Sequence, residues 1–319
     1  MNRKLIKLIK ILSADYFTPF SLLEQKFNLS ELSLFQSIKL LNEYGIKVIY
    51  NNIGCRLEEN IIFLDPKKIK PNINTDLNML EILETVDSTN DFLKRRPYIY
   101  DIYQICISEH QSSGKARLDR KWYSPFGLNI YLSLKYNFPQ RTISLSGISL
   151  AIGLGIIKCL NSLRIAKEKF FIKWPNDIYF KGKKIAGILT EIINESDKSY
   201  SIIIGIGLNV NMHQHDKKVN NNWTSMKMIS TQYYDRNVIS TLLINQIIQD
   251  LETFYVTGLD GYLHEWKRND YLFGKKVKFV SSNQEVIGSC VGIDKLGRLL
   301  IMNKEKQVNS FCSGDILIM

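Results

Sequence analysis

The sequence predicts an α+β protein built from three successive parts. In residues 1–65, three segments have apolar residues at helical spacing and a fourth segment alternates and turns like a hairpin. From about residue 80 to 265, strand-like and helix-like runs alternate, which is typical of a mixed α/β domain. After Tyr271, short strand-like runs with Gly and Asp turn signals follow. A chain of 319 residues is long enough for two or three domains.

The first part has the element order of a winged helix-turn-helix. Residues 5–12 predict the first helix, and Thr18 and Pro19 are suited to cap and open the second. Ser30 is suited to cap the third helix and Gly45 to end it. The stretch "KVIYNNIGCRLEE" then predicts a two-stranded wing. In this fold the third helix enters the major groove of DNA.

The second and third parts are predicted mainly from strand patterns. "PKKIKP" (Pro66–Pro71) is typical of a charged linker bounded by prolines. "YQICISEHQ", "GLNIYLSLKYNF" and "YSIIIGIGLNVNM" predict strands, and "KFFIKWPNDIYFKGKKIAGILTEII" predicts a strand, a corner and a hairpin turned at 181–183. The last part predicts a small SH3-like β-barrel or sandwich. We place the three domains at 1–65, 66–270 and 271–319.

Composition limits the partners and the location. The net charge of +11, from 42 Lys and Arg against 31 Asp and Glu, indicates either an anionic partner or a general bias toward lysine. Residues 1–65 hold eight basic against seven acidic residues, so the first part carries little of the excess. The five cysteines form no Cys-x-x-Cys pair, which argues against a disulfide framework or zinc site and for a reducing cytosol.

The apolar segments argue against membrane targeting. The most apolar long run, Ile143–Leu160, contains serines, glycines and Lys158, and it predicts a buried helix instead of a membrane span. The N-terminal segment has Lys7 and Lys10 inside its apolar pattern and no small-residue cleavage site, so it does not resemble a signal peptide. We expect a cytoplasmic protein with no membrane partner.

One candidate site is the loop "SSGKARLDRKWYSPFG" (112–127), which places four basic residues directly before an aromatic wall. It predicts either a phosphate-binding loop, with Trp122 or Tyr123 stacking on a ring, or an ordinary solvated turn. The P-loop pattern GxxxxGK[ST] is absent.

A second candidate site is "KWPNDIYFKGKKIAGILTEI". Its corner places Lys173, Asn176 and Asp177 at the end of a strand, where loops gather ligands. Lys184 then opens a strand in which Gly187 leaves room for a flat group against the backbone. The alternative is a plain hairpin with solvated lysines.

Two shorter stretches complete the set of candidate sites. In "VDSTND", Ser88 and Thr89 can cap a helix or bind a ligand. In "GIGLNVN", Asn209 and Asn211 end a strand and can orient phosphate or metal, or cap a turn.

Taken together in this order, the four stretches resemble the bifunctional biotin–protein ligases and biotin operon repressors of the BirA type. The resemblance runs from the N-terminal helices to the last strand. It is strongest in "DSTN", "EHQSSGKARLDRKWYSPFGLNIYLSL", "KWPNDIYFKGKKIAGILTEI" and "IGIGLNVNM". The Lys-Trp-Pro-Asn-Asp block followed by Lys-Ile-Ala-Gly-Ile-Leu is its most specific motif.

The resemblance implies a fold, a reaction and partners. The central domain would be class II synthetase-like, between a winged helix-turn-helix and an SH3-like β-barrel. The enzyme would use ATP and Mg²⁺ to convert biotin to biotinyl-5′-adenylate, and would then transfer biotin to a lysine of the biotin carboxyl carrier protein. Members form homodimers by adding sheets edge to edge, and operator DNA is the partner of the repressor function.

The resemblance also implies roles for individual residues at matching positions. The catalytic residues would be Lys184, Arg117 and Asp177. Biotin would be bound by Ser88, Thr89, Asn90, Gln111, Lys115, Ala116, Arg117, Lys184 and Gly187. The adenylate or ATP would be bound by Arg117, Arg120, Trp122, Asn176, Asn209 and Trp223, with Asn209 helping to hold the magnesium triphosphate.

The loop departs from the family pattern Gly-Arg-Gly-Arg-x-Gly-Arg. Lys115 replaces the first Arg, and Ala116 and Asp119 replace two glycines. We expect Ala116 to limit positive φ angles and Asp119 to bring a negative charge near phosphate. Because Arg117 and Arg120 are kept, we expect activity with faster escape of the adenylate.

The presumed recognition helix, residues 30–44, offers little for DNA. It begins with Glu31, carries Lys39 as its basic group, and has Gln36 as the side chain suited to read base edges. We expect the domain to keep its fold and to have lost operator binding, with repression as the open alternative.

Two rival functions remain open from the sequence. One is a lipoate or octanoate ligase or transferase of the same broad fold. The other is a transcription factor that uses the ligase domain as a biotin sensor. The set of Ser88, Thr89 and Gln111 favours biotin, and the intact Lys184 and Asp177 favour working chemistry.

Overall fold

The computed structural model describes residues 3–77, 79–97, 103–138, 144–196, 199–213, 222–281 and 284–319. Within these ranges the chain has a mixed α+β fold with sheets of three, seven and five strands. The described helices include none with the length and apolar content needed to cross a bilayer.

The N-terminal unit contains three helices and a three-stranded sheet. Its elements are α1 (Arg3–Ile11), β1 (Thr18–Pro19), α2 (Phe20–Phe27), α3 (Glu31–Glu43), β2 (Val48–Tyr50) and β3 (Gly54–Leu57). The strands pair antiparallel in the order β1-β3-β2. Apolar side chains from all three helices and from the hairpin form one separate core. The predicted helices and hairpin are therefore confirmed.

The helix ends in this unit show which capping predictions were right. The Ser30 side chain accepts a hydrogen bond from the Ser33 N–H at 3.3 Å, so Ser30 caps α3 as predicted. Gly45 has a φ of 85° directly after α3, a conformation that favours glycine. The prediction that Thr18 caps α2 was wrong, because Thr18 pairs with Cys55 in the sheet and α2 begins after Pro19.

The central unit is built on a seven-stranded sheet in the order β4-β5-β6-β10-β9-β8-β7, in which β4 and β5 are parallel and the other neighbours antiparallel. Its strands are β4 (Met79–Leu83), β5 (Gln104–Ser108), β6 (Ile130–Phe138), β7 (Phe171–Lys173), β8 (Asp177–Phe180), β9 (Lys183–Ser196) and β10 (Ser199–Leu208). Its helices are α4 (Pro66–Ile69), α5 (Thr89–Lys94), α6 (Ile148–Ser162), α7 (Met226–Ser230), α8 (Arg236–Thr257) and α9 (Leu263–Asn269), with 3-10 turns at Lys70–Asn72 and Gly258–Tyr262.

The predicted linker at 66–71 is instead helical. Asp65 accepts a hydrogen bond from the Lys67 N–H at 2.9 Å and Pro66 occupies the first turn, so α4 starts with a cap and a preset φ angle. Ile69 is fully buried against the main core. The segment therefore packs against the sheet unit and is not a free spacer.

The two faces of the central sheet have different neighbours. Side chains alternate along a strand, so successive residues of β10 point to opposite faces. Ile204 and Ile206 join the core that includes α6 and α8. Ile203 packs on the other side with Leu93 of α5. The glycines that follow at 205 and 207 lie on this second face, where the sheet is left accessible.

The C-terminal unit is a five-stranded antiparallel sheet in the order β14-β13-β12-β11-β15. Its strands are β11 (Lys276–Val280), β12 (Glu285–Ile293), β13 (Leu299–Met302), β14 (Val308–Phe311) and β15 (Asp315–Ile318). Its buried side chains belong to the same core as the central unit. In addition, the Trp174 indole N–H donates to the carbonyl of Gly297 at 2.9 Å. These contacts fix β15 beside the accessible face of the central sheet.

A buried carboxyl group lies between α6 and α8. The Asp250 side chain is 3% exposed, and the Tyr262 hydroxyl donates to its Oδ1 at 3.3 Å. A Cβ atom at Gly155 of α6 would lie 1.8 Å from Asp250 Oδ2, so only glycine fits opposite this carboxyl. Burial raises the pKa of Asp250 to about 6.

We predict that Asp250→Asn stabilises the protein at neutral pH. The folded-state pKa is above the unfolded value of about 3.9, so the contribution of Asp250 to stability falls as the pH rises from about 4 through 6. The neutral amide avoids this cost and should raise the free energy of unfolding by about 2 kcal/mol at pH 7.5. Urea unfolding at several pH values measures this, with exposed Asp260→Asn as the control. A stability difference that does not change with pH would contradict the prediction.

Candidate active site

A cavity of about 300 Å³ lies on the accessible face of the central sheet. It is lined by Ser88, Thr89, Asn90, Gln111, Lys115, Ala116, Arg117, Arg120, Trp122, Lys173, Trp174, Pro175, Asn176, Asp177, Tyr179, Lys184, Gly187, Ile188, Leu189, Gly205, Ile206, Gly207, Gly314 and three residues of β15, Asp315, Ile316 and Leu317. Residues from all four candidate stretches therefore meet in one place. The lining has five cationic side chains and two carboxylates, so the cavity favours an anionic ligand.

The basic loop forms a short hairpin at the rim of this cavity. The Trp122 N–H donates to the carbonyl of Gly114 at 2.8 Å, and the Ala116 N–H to that of Arg120 at 2.8 Å. A Cβ atom at Gly114 would lie 2.6 Å from the Trp122 carbonyl oxygen, so glycine lets the two sides approach. The exposed tip carries Leu118. The predicted cationic loop is thus an ordered element of the structure.

The backbone strain in the loop lies at its tip. Leu118 and Asp119 both have a φ of 55°, whereas Ala116 is not among the described residues with positive φ. The left-handed conformation therefore falls at the tip, and Ala116 does not adopt the positive φ angle that it was expected to limit. Asp119 occupies a left-handed position that glycine adopts without cost, and aspartate tolerates it better than most residues.

Trp122 lies flat on two glycines of neighbouring strands. Gly187 and Gly207 are paired across β9 and β10. A Cβ atom at Gly207 would lie 2.3 Å from Trp122 Cε2, and one at Gly187 would lie 3.0 Å from Cζ3. The flat group for which Gly187 leaves room is therefore this indole. Phe126, further along the aromatic wall, is instead buried in the core of the N-terminal unit.

The two central cations of the cavity are held by the Asn-Asp corner. Lys184 Nζ lies 2.7 Å from Asp177 Oδ1 and 5.1 Å from the centre of the Trp122 ring. The Arg117 guanidinium donates to Asn176 Oδ1 at 3.4 Å. The Asn176 amide in turn donates to the carbonyl of Ile188 at 2.6 Å. Burial lowers the pKa of Arg117, which shows that this cation lies in a poorly hydrated place.

A network of polar side chains forms the opposite end of the cavity. The Thr89 N–H and hydroxyl donate to Gln111 Oε1 at 2.9 and 3.1 Å. The Gln111 amide donates to the Ser124 hydroxyl at 3.0 Å. Ser133 Oγ, fully buried on β6, lies 2.7 Å from Thr89 Oγ1. Ser88 caps α5 by accepting from the Asp91 N–H, as one of its two interpretations predicted, and it also lines the cavity.

Asn90 and Lys115 were predicted to bind biotin, but their polar groups form hydrogen bonds or ion pairs within the protein. The Asn90 amide donates to Glu191 Oε2 at 2.7 Å, and Asn90 Oδ1 lies 2.5 Å from Ser133 Oγ. The Lys115 ammonium lies 2.7 Å from Asp91 Oδ2. Both residues line the cavity, but these contacts give them a supporting position in its wall.

The structure does not bring Asn209 or Trp223 into the cavity lining. Asn209 is buried, and its amide donates to the carbonyl of Thr224 at 3.1 Å. Trp223 is also buried, next to β9, where the Thr224 N–H donates to the carbonyl of Lys184 at 2.8 Å. Their contacts shape the backbone around Lys184 instead.

Three residues that line or support the cavity were not identified as site residues from the sequence. Asp315 comes from the C-terminal unit and forms an ion pair with Arg120 of the loop. Ser133 and Glu191 support the polar end through Thr89 and Asn90. No sequence motif marks these positions, since each acts through a neighbour that is distant in the chain. The closely spaced glycines of "GIGLNVN" were a visible signal that a flat group packs on the backbone there, and Gly207 is where the Trp122 ring packs.

Comparisons with known proteins agree with this geometry. Residues 82–209 match the model of the biotin/lipoate A/B protein ligase family. The chain is 33% identical over 313 residues to the bifunctional ligase/repressor BirA of Escherichia coli (strain K12), covering 98% of this chain and 96% of the relative. It is 31% identical to the protein of the same name from Salmonella typhimurium, with the same coverage.

Solved structures give the same result. A biotin protein ligase from Aquifex aeolicus, in complex with biotin and ATP, superposes with a TM-score of 0.65 at 27% identity. The match covers 76% of this chain and 98% of that one. Because the relatedness extends over nearly the whole chain and includes all the cavity motifs, this protein belongs to the biotin/lipoate A/B protein ligase family.

Proposed function

We propose that the protein is a biotin–protein ligase that activates biotin with ATP and transfers it to a lysine of a biotin carboxyl carrier protein. The observation that carries this proposal is the cavity in which Arg117 and Lys184 lie between a polar end, Thr89 with Gln111, and an electropositive rim. Such a cavity suits a ligand with a neutral polar head, an apolar body and an anionic tail.

The polar end suits the ureido ring of biotin. Its donors and acceptors are fixed by mutual hydrogen bonds before any ligand arrives, which lowers the ordering cost of binding. Trp122 on its glycine seat supplies a flat apolar wall for the valeryl chain. A lipoyl group lacks ureido hydrogen bonds, so this end favours biotin over the lipoate alternative.

In the first step a carboxylate must approach the α-phosphate, although both are anionic. Arg117 and Lys184 both line the cavity in which the carboxylate and the phosphate would meet, and Arg117 is partly dehydrated there. Before ligands bind, the Lys184 ammonium is neutralised by Asp177 at 2.7 Å. The biotin carboxylate would exchange places with Asp177 as the partner of Lys184.

That exchange prepares the second step. Asp177, once separated from Lys184, is free to accept a proton from the ammonium group of the acceptor lysine. This lysine must react as the neutral amine, although its ordinary pKa is about 10.4. The loop hairpin at 114–122 would cover the adenylate and exclude water during the interval, with its Arg120 tied to Asp315.

Magnesium enters this scheme as part of the Mg²⁺–ATP substrate. The described residues include no group of three His, Cys, Asp or Glu side chains that could hold a metal ion. Mg²⁺ keeps several waters and binds through phosphate oxygens, so it needs few protein ligands here.

The domain organisation supports this assignment. We propose a winged helix-turn-helix at 1–65, a class II synthetase-like catalytic domain at 66–270 and an SH3-like domain at 271–319. The order of α1 to β3 and the five-stranded C-terminal sheet support the first and the last. We also propose a homodimer that joins sheets edge to edge, since β4 pairs on one side, with β5, in the described structure.

A second candidate function is repression of transcription, which the name of the relatives and their coverage of the N-terminal unit favour. The exposed face of α3 is poor in DNA-binding groups. Its exposed residues are Glu31, Leu32, Gln36, Lys39, Leu40, Asn42 and Glu43, and Leu32 is 71% exposed. Gln36 is suited to read base edges, whereas the Asn42 side chain is bonded to the backbone of Ile38 and Val48. Two carboxylates against one ammonium predict weak contact with phosphates.

We predict that the purified protein attaches biotin, but not lipoate, to an apo carrier domain in the presence of Mg²⁺–ATP. Lys184→Ala and Arg117→Ala should each slow adduct formation by roughly 10- to 100-fold or more, because each removes a charge-assisted contact. Mass spectrometry of the acceptor lysine measures the rate. Lys167→Ala, which removes an exposed charge from the same unit, is the control. A lipoyl adduct, or no biotin adduct, would contradict the proposed function.

We predict that Ser133→Ala weakens biotin binding because it releases Thr89 and Asn90. The loss should be about 1–2 kcal/mol, or roughly 5- to 30-fold in the dissociation constant. Calorimetry with biotin alone measures this. Ser201→Ala is a matched control, because Ser201 of the neighbouring strand β10 is also fully buried and its hydroxyl donates to Asn137 of β6. If both variants bind biotin equally well, Ser133 does not position the site.

We predict weak DNA binding with a shallow dependence on salt. Few phosphates can be contacted, so the slope of log K against log salt should be about −2 or smaller in magnitude. Titration of labelled duplex DNA at several salt concentrations measures the slope. The double variant Glu31→Gln, Glu43→Gln should tighten binding. A slope of about −6 or steeper in the parent protein, with tightening by biotin and ATP, would instead establish a repressor.

A further inference from the structure

One cation of the cavity has no role in the scheme above. Lys173 ends β7 and lies opposite Asp177 in the register of β7 and β8. Its side chain lines the same cavity as Arg117 and Lys184. Its ammonium nitrogen forms a cation–π contact with the ring of Tyr179, whose centre lies 5.4 Å away.

The other four cavity cations are each held by a protein acceptor. Lys184 is paired with Asp177, Lys115 with Asp91, and Arg120 with Asp315. Arg117 donates to the Asn176 amide oxygen. Lys173 forms no ion pair or hydrogen bond with any residue that the structure describes, so its ammonium is available to a ligand. Burial lowers its pKa, which means that this unpaired charge is also poorly hydrated.

The position of Lys173 follows from the order of the strands. The cavity runs across the sheet from β10 through β9 and β8 to β7. Ser133, which supports the polar end, is on β6, Lys184 is on β9, and Lys173 is on β7. Neighbouring strands are about 4.8 Å apart, and β8 lies between β7 and β9. The backbone of Lys173 is therefore roughly 10 Å from that of Lys184, on the side away from the polar end. A phosphate chain continuing past the reacting carboxylate would extend toward it.

The aromatic neighbours of Lys173 hold this end of the cavity in place. The rings of Tyr179 and Tyr271 stack with centres 5.1 Å apart, and the Lys275 ammonium lies 3.4 Å from the centre of the Tyr271 ring. The face of Tyr179 therefore supports Lys173 from the protein side. An electron-rich ring stabilises a cation without neutralising it, which leaves the full charge for an anion in the cavity.

We propose that Lys173 is a further catalytic residue of adenylation and that it binds the β- and γ-phosphates of ATP, the pyrophosphate leaving group. This inference rests on the proposed ligase function. The biotin carboxylate oxygen forms a bond to the α-phosphorus, and the bond from that phosphorus to the bridging oxygen breaks. The electron pair stays on the oxygen of pyrophosphate, and no proton or redox partner is required. Lys173 stabilises the charge that develops on this oxygen.

The two steps of the reaction separate this role from others. Biotin-dependent exchange of labelled pyrophosphate into ATP reports the first step. Transfer from supplied biotinyl-5′-adenylate to an apo carrier domain reports the second step, in which pyrophosphate takes no part. Lys173→Met should slow exchange by roughly 10- to 100-fold and raise the KM for pyrophosphate. It should leave the KM for biotin and the transfer rate within about twofold of the parent protein.

Two further variants complete the experiment. Lys173→Arg keeps the charge and should retain most of the exchange activity. Lys169→Met removes an exposed charge from the same segment and should change neither step. Normal exchange in Lys173→Met, or equal loss of exchange and transfer, would overturn the proposal. If the parent protein shows no biotin-dependent exchange at all, the ligase function itself fails, which is a different result from normal exchange in the variant.

Discussion

A buried ion pair between Arg236 and Glu109 fixes the point where the parts of the chain meet. Both side chains are almost fully buried, with 2.6 Å between Arg236 Nη2 and Glu109 Oε2. Arg236 also donates to the carbonyls of Asn129 and Ile62, and Glu109 accepts from the Leu64 N–H. A buried pair is tolerated only when such extra hydrogen bonds offset the loss of hydration. The pair thereby joins α8, the end of β5 and the segment that enters from the N-terminal unit.

The loop of the active site begins and ends at this junction. Glu109 stands directly before the loop, and its carbonyl accepts from the Gly127 N–H at 3.0 Å after the loop. Between these anchors, the chain forms the hairpin and then places Trp122 on Gly207 and Phe126 in the N-terminal core. One short segment therefore contacts the ligand cavity and the N-terminal unit together.

The cavity brings together cations from the sheet and from the loop, and they are not all restrained in the same way. Lys184 is neutralised by a carboxylate that a ligand can replace. Arg120 is tied to the C-terminal unit through Asp315. Lys173 lies on an aromatic face that leaves its charge uncompensated. The C-terminal unit thus contributes part of the cavity wall, and the core that it shares with the central unit holds this wall in place.

The sequence by itself determined the elements and most of the candidate site, because helix spacing, strand alternation and the motif around Lys184 are local patterns. It could not determine the seat of Trp122, since that depends on Gly187 and Gly207 becoming neighbours across two strands. Nor could it show that the Asn209 amide is bonded to the carbonyl of Thr224, because the partner of a side chain at a strand end depends on the tertiary structure. The pairing of distant charges was decided by the tertiary structure alone. Burial and proximity arise only when separate segments pack, and no local pattern encodes them.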